Sequence, residues 1–164
     1  MTNDTNAAVA SVPSPDAVKG QMTRLLDDFV KSTTGVSHAM LASRDGLKQV
    51  FSSHMDPDWA DELAATFSGM AGLAKGVTGP TDKQMAARQV LVERDDVMFL
   101  VTNAGVGSAF NQSGKTVATV LVALVATDAN IGAVAFEIGR LVSRFAPFMT
   151  TLVRERDADG DGAA

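Results

Sequence analysis

The chain contains no cysteine, which rules out a disulfide framework, a thiolate zinc site and a cysteine nucleophile. Aromatic residues make up only 5% of it, and its 14 lysines and arginines form no basic stripe. Without such a stripe to neutralise phosphates or an aromatic platform to stack bases, nucleic acid is excluded as a partner. A charged-then-apolar leader is missing as well, and the most apolar run, residues 117 to 126, is too short to span a bilayer. These absences predict a cytoplasmic protein with no membrane insertion. The net charge of −5 says little, because Asp4, Asp157, Asp159 and Asp161 supply four of those charges and residues 16 to 156 are nearly neutral.

What is present is enough for one domain. At 164 residues and 46% hydrophobic content, the chain can bury a proper core. Residues 1–14 are small, polar and proline-punctuated, and 157–164 are acidic; both read as disordered tails flanking a domain at 15–156.

Within the domain, the apolar spacing of Val18, Met22, Leu25, Leu26 and Phe29 predicts a first helix that begins at Pro15 and ends at Gly35. Two strands follow, 36 to 43 and 47 to 53, closed on Asp45-Gly46, a pair that suits a type I′ turn. Asp56-Pro57 reads as a cap and first turn, behind which Trp59, Leu63, Phe67, Met70 and Leu73 recur at helical spacing up to Gly79-Pro80. Three more strands are predicted, at 88 to 93, 97 to 102 and about 116 to 126. A third helix carries Ile131, Val134, Ile138, Leu141, Val142, Phe145 and Met149.

Strand five is apolar on both faces, and strands one and four nearly so, which marks them as interior strands covered on both sides. Strands two and three are more mixed and suit the edges. The predicted fold is therefore α+β, a five-stranded antiparallel sheet of order 2-1-5-4-3 between helices. Strand three, Arg88 to Glu93, would be an edge with no proline to blunt it, and such an edge invites pairing with another chain. The second helix carries its own signal. Gly69, Gly72 and Gly76 interrupt it at a cost of roughly 1 kcal/mol each relative to alanine. Together with Ala60, Ala64, Ala65, Ser68 and Ala71 they leave a shallow surface that another backbone can approach, whether the protomer's own sheet or a symmetry mate.

Motifs that carry chemistry are incomplete. Ser113-Gly114-Lys115-Thr116 has the tail of a phosphate-binding loop, but Ala109 stands where the pattern needs glycine, and a strand is predicted where it needs a helix. Asp157 to Gly162 begins like a calcium loop and lacks the closing glutamate. His38 falls in a predicted interior strand as a hydrogen-bonded core residue, and His54 is expected to be exposed. No cofactor, metal or catalytic residue is assigned, and the chain is not expected to be an enzyme.

The element order, with Leu41-Ala-Ser-Arg-Asp-Gly-Leu47 at the turn and Leu63 to Gly76 in the second helix, resembles the roadblock family of dynein light chains. More narrowly it resembles bacterial members found beside small Ras-like GTPases. The resemblance implies a homodimer in which the second helix and the third strand meet their symmetry mates, and a non-enzymatic role as scaffold or regulator of such a GTPase. On it, Leu63, Phe67, Met70, Gly72, Val90, Leu91 and Val92 are expected at the dimer interface, and Asp58, Asp61, Glu62 and Lys75 at the surface that receives the partner. A small-molecule-sensing α/β domain is the alternative, against which the sequence shows no polar cluster converging on a pocket.

Overall fold

The structure, a computed structural model, describes residues 13–83, 85–107 and 116–150. The expected tails, 1–14 and 157–164, lie outside the described residues except for Pro13 and Ser14, and Ser113, Gly114 and Lys115 lie outside them as well.

Helix α1 (Pro15–Ser32) starts where the Ser14 side chain accepts a hydrogen bond from the Ala17 N–H and Pro15 opens the first turn. It buries Met22, Leu26 and Phe29. Gly35 then turns the chain at φ +88°, where a Cβ would lie 2.5 Å from the Ala129 side chain, so no other residue fits. Strands β1 (Val36–Ser43) and β2 (Lys48–Phe51) follow. Their connection differs from the expected type I′ turn. Only Gly46, at φ +90°, has positive φ, and its N–H donates to the Ser43 carbonyl while the Ser43 N–H donates to the Leu47 carbonyl. This is the three-residue loop in which a left-handed glycine follows a type I turn, because Asp45 keeps the ordinary negative φ.

Helix α2 (Pro57–Ala74) begins with the Asp56 carboxylate accepting from the Asp58 and Trp59 N–H groups, both at 3.0 Å. It ends at Lys75, so Gly76 lies outside it, contrary to expectation. Strands β3 (Gln89–Glu93), β4 (Met98–Gly107) and β5 (Val117–Val125) and helix α3 (Ile131–Thr150) complete the described residues.

The five strands form one antiparallel sheet in the order β2-β1-β5-β4-β3. Strand alternation divides its side chains between two cores. Ala39, Leu41, Leu100, Leu121 and Ala123 meet Met22, Leu26, Val134, Ile138, Leu141 and Phe145 of α1 and α3. On the other face Met40, Ala42, Phe99, Val101, Val120, Val122 and Leu124 lie beneath α2 alone. Strand β5 is buried from Thr119 to Val125, as its two-sided apolar sequence requires.

Candidate functional site

Helix α2 is the only described helix on its face of the sheet, and its side away from the sheet is exposed. Its N-terminal half is tied to the β1–β2 hairpin: Lys48 Nζ lies 2.6 Å from Asp61 Oδ2 and donates to the Pro57 carbonyl at 2.9 Å. The Ser68 hydroxyl donates to the Ser43 carbonyl at 2.7 Å. Further on, the Phe67 ring stands 4.8 Å from that of Phe99 in β4, and Ala71 lines a cleft with Arg88, Gln89 and Val90 at the start of β3. The helix thus crosses the sheet from the β2 edge at its N-terminus to the β3 edge at its C-terminus.

This placement corrects part of the expected interface. Leu63 and Phe67, at 6% and 4% exposure, point into the protomer's own core rather than toward another chain. They share a stripe with Ala60, Ala64 and Ala71 that the sheet covers, and helical spacing alone does not say what covers a stripe. Met70 is half-buried against the same core. Leu73 departs from the stripe it was assigned to: it is 79% exposed on the outer side of the helix. That outer side also carries Glu62, Ala65, Thr66, Gly69 and Gly72, all exposed. A Cβ added at Gly69 or Gly72 would meet nothing within 4 Å. Val77 and Met85, in the segment between α2 and β3, are exposed large hydrophobics as well, and sequence reasoning passed over both. Their signal was present as apolar residues in a connector that buries no face.

Strand β3 is an edge of the sheet, as expected. Val90 and Val92 are half-buried on the α2 side, whereas Leu91 projects from the opposite face and remains exposed. The Arg94 N–H donates to the Val97 carbonyl, so the antiparallel alternation directs the backbone groups of Val92 and Val90 toward β4. Those of Gln89, Leu91 and Glu93 face away from the sheet.

The expected partner-binding residues do not form one cluster. Asp58, Asp61 and Glu62 occupy the first two turns of α2 and are exposed, with Asp61 engaged by Lys48. Lys75 caps the far end, about 20 Å away at ~1.5 Å per residue. His38 also departs from its expected core position. It is half-buried where a register shift follows Val36, its Nδ1 is 3.0 Å from the Ser37 hydroxyl, and its ring meets Trp59 edge-on at 5.5 Å. Burial there lowers its pKa, and His54 lowers it further. Thr116 leads into strand β5 and not into a helix, so the phosphate-loop pattern lacks its helix N-terminus. Among the described residues no group of histidine and carboxylate side chains is placed to hold a metal ion, and no helix is long and apolar enough to cross a membrane.

A five-stranded antiparallel sheet with one helix on one face and two on the other is the architecture of a known class. The Roadblock/LC7 domain family model matches residues 22–110, and the chain belongs to that family. Among solved structures it is similar to a Roadblock/LC7 domain from Streptomyces avermitilis, at 29% identity and a TM-score of 0.64, covering 77% of this chain and 95% of that one. It shares its fold with the gliding protein MglB from Thermus thermophilus, at 16% identity and a TM-score of 0.63, covering 85% and 93%. It likewise shares its fold with Myxococcus xanthus MglB, at 15% identity and a TM-score of 0.60, covering 77% and 93%. No curated protein matches the chain in sequence.

Proposed function

We propose that this chain is a non-enzymatic, homodimeric adaptor or regulator of a small Ras-like GTPase, self-associating through the outer side of α2 and the β3 edge. The observation that carries the dimer is the outer side of α2. Gly69 and Gly72 each cost the helix about 1 kcal/mol, yet among the described residues nothing lies within 4 Å of a Cβ added at either. Their small size is unexplained by packing among the described residues and is explained by a helix or strand of another chain lying close. Leu73 on α2, Val77 and Met85 in the connector that follows it and Leu91 on β3 are all exposed and apolar.

Family membership supports the choice of partner, since the hairpin and second helix resemble those of bacterial roadblock proteins found beside small GTPases. The acidic first turns of α2, with Asp58, Asp61 and Glu62, form the surface proposed to receive it. The cleft beside Ala71 has room for only about 10 Å³, far below the ~300–1,000 Å³ typical of small-molecule sites, so that cleft does not support the sensing role. The test is capture of a small GTPase from the native organism by the tagged protein, followed by a GTP hydrolysis assay of the pair. A GTPase retained with altered or unaltered hydrolysis fits regulator or scaffold respectively. Failure of any GTPase to bind at micromolar concentration refutes the reading.

A further inference from the structure

We propose that the Arg44 guanidinium is the receptor for one small oxyanion, a free phosphate or carboxylate taken side-on by Nε and Nη2. This stands apart from the reading of the α2 and β3 surfaces and does not depend on it.

Arg44 is the first residue of the loop that joins β1 to β2, and neighbouring elements fix that loop from two sides. The Arg44 N–H donates to the Ala118 carbonyl of β5 at 2.8 Å, while the Ser43 carbonyl before it accepts from the Ser68 hydroxyl of α2. Two residues further on, a Cβ at Gly46 would lie 3.4 Å from Ala65 Cα. The residue is thereby held where the hairpin loop, α2 and β5 meet. Its Nε and Nη2 are buried there without a hydrogen-bond partner among the described residues. A guanidinium carries its charge wherever it is placed, so burying its donors unpaired costs more than burying a neutral group. The other buried side-chain atom without a partner among the described residues, Thr33 Oγ1, is neutral.

Among the described residues Arg44 has no counter-ion. The ion pairs there use Lys48, Arg94 and Arg140. Asp45, the next residue, is exposed and joins none of them. Acceptors close in the fold are engaged already: the Ser43 hydroxyl with Leu47, the Ser68 hydroxyl with Ser43, and the Ala118 carbonyl with the N–H of Arg44 itself. Residues 108–115, between β4 and β5, contain no aspartate or glutamate.

Nε and Nη2 form one edge of the planar guanidinium, and two parallel N–H bonds from that edge suit the two oxygens of a carboxylate or phosphate. The same edge is filled at Arg94, where Nε and Nη2 reach Asp96 at 2.9 and 3.1 Å. Arg44 carries unfilled the donor pair that Arg94 carries filled. Because both donors are closed off from solvent, a carboxylate borne on the surface of another protein does not reach them. An anion of a few atoms needs only a local opening of the loop to enter.

Calorimetric titration of the full chain with sodium phosphate, and separately with sodium acetate, tests this at an ionic strength held constant with sodium chloride. One anion per protomer is expected to bind saturably and to raise Tm in step with occupancy. Whether phosphate, acetate or both bind tells which oxyanion the fork takes. Arg44→Lys keeps the charge and loses the fork, so binding should weaken by about tenfold or more. Arg44→Met removes both. It should abolish binding and, in chloride alone, melt no lower than the native chain, since an apolar side chain replaces a buried unpaired charge. If Arg44→Met does not fold, the Arg44 Nε–H resonance of the native chain, assigned by its loss in Arg44→Lys, is the second readout, and it should shift along the same isotherm. No saturable binding of either anion at tens of millimolar overturns the proposal. Binding of unchanged affinity in Arg44→Lys and Arg44→Met, or an Arg44 Nε–H resonance that stays in place while the anion binds, overturns it as well.

Discussion

Replacing Gly72 with leucine separates the two reasons a helix carries glycine. If the residue is small because another chain packs on it, the substitution should help the protomer and harm the assembly. Among the described residues a Cβ at Gly72 meets nothing within 4 Å, so the new side chain enters space that none of them fills. Leucine is close to alanine in helix propensity and glycine about 0.8–1 kcal/mol worse, so the protomer should gain most of that difference. For a chain of this size that is a rise in Tm of about 2 to 3 °C, read at a concentration low enough to dissociate the dimer. At the interface, overpacking typically costs about 1 to 3 kcal/mol, which weakens association by roughly 5- to 150-fold. Sedimentation equilibrium measures the second quantity and thermal melting the first. An unchanged dissociation constant refutes the reasoning whichever way Tm moves: with a lower Tm it assigns Gly72 to the protomer core, and with a higher one it leaves Gly72 outside the interface.

Four further outcomes are expected. Phe67→Ala, at a side chain 4% exposed and stacked near Phe99, should destabilise the protomer itself by about 3 to 5 kcal/mol in urea unfolding; a stable protomer that merely fails to associate would return Phe67 to the interface. Alanine at Arg44, Arg88 or Arg94 should leave stimulated GTP hydrolysis within a few fold, because no arginine is proposed as a finger, and a roughly thousandfold loss with binding intact would make that residue one. His38 has a pKa held below the ordinary 6.5 by burial and by His54, so the unfolded chain takes up the proton first as pH falls. The stability it contributes is complete above about pH 6.5 and is lost as pH falls from there toward the lowered value. The urea midpoint should therefore drop more between pH 7.5 and 5.5 in the native chain than in His38→Gln, and equal drops would dismiss the effect. Finally, a chain trimmed to residues 13–156 should fold and associate like the full one, whereas starting at Pro15 should cost about 1 kcal/mol by removing the Ser14 cap; a trimmed chain that fails to fold would give the termini a structural role.

The sheet was legible because its interior strands announce themselves. Strand β5 has no polar face to turn outward, so it had to lie between two layers, and short connections then set the order of the rest. The extent of β4 was not legible. Asn103, Gly105 and Gly107 look like loop residues, but the strand continues through a register shift at Asn103/Gly105, where Gly105 takes φ +95° and keeps pairing with β5. The hairpin turn was misjudged because Asp-Gly occurs both in the two-residue turn and after a type I turn, and only the sign of φ at Asp45 separates them. For the proposed interaction surface, sequence pointed to α2 and β3 and misjudged which side chains of α2 the protomer's own sheet covers. Leu63 and Leu73 are chemically alike and both fit a loose helical spacing, but which of them faces the sheet is set by tertiary docking. Ser68 on Ser43 and Asp61 on Lys48 rotate α2 so that Leu63 is buried and Leu73 is not.

Everything proposed for the α2 and β3 surfaces requires a second copy to cover them, and the mass of the purified protein in solution decides that most directly. Sedimentation equilibrium at micromolar concentration should give twice the 17.1 kDa of one chain, with dissociation on dilution following a single monomer–dimer constant. A mass of one chain across that range would contradict the account, leaving Gly69, Gly72 and the bare edge of β3 without the partner that explains them.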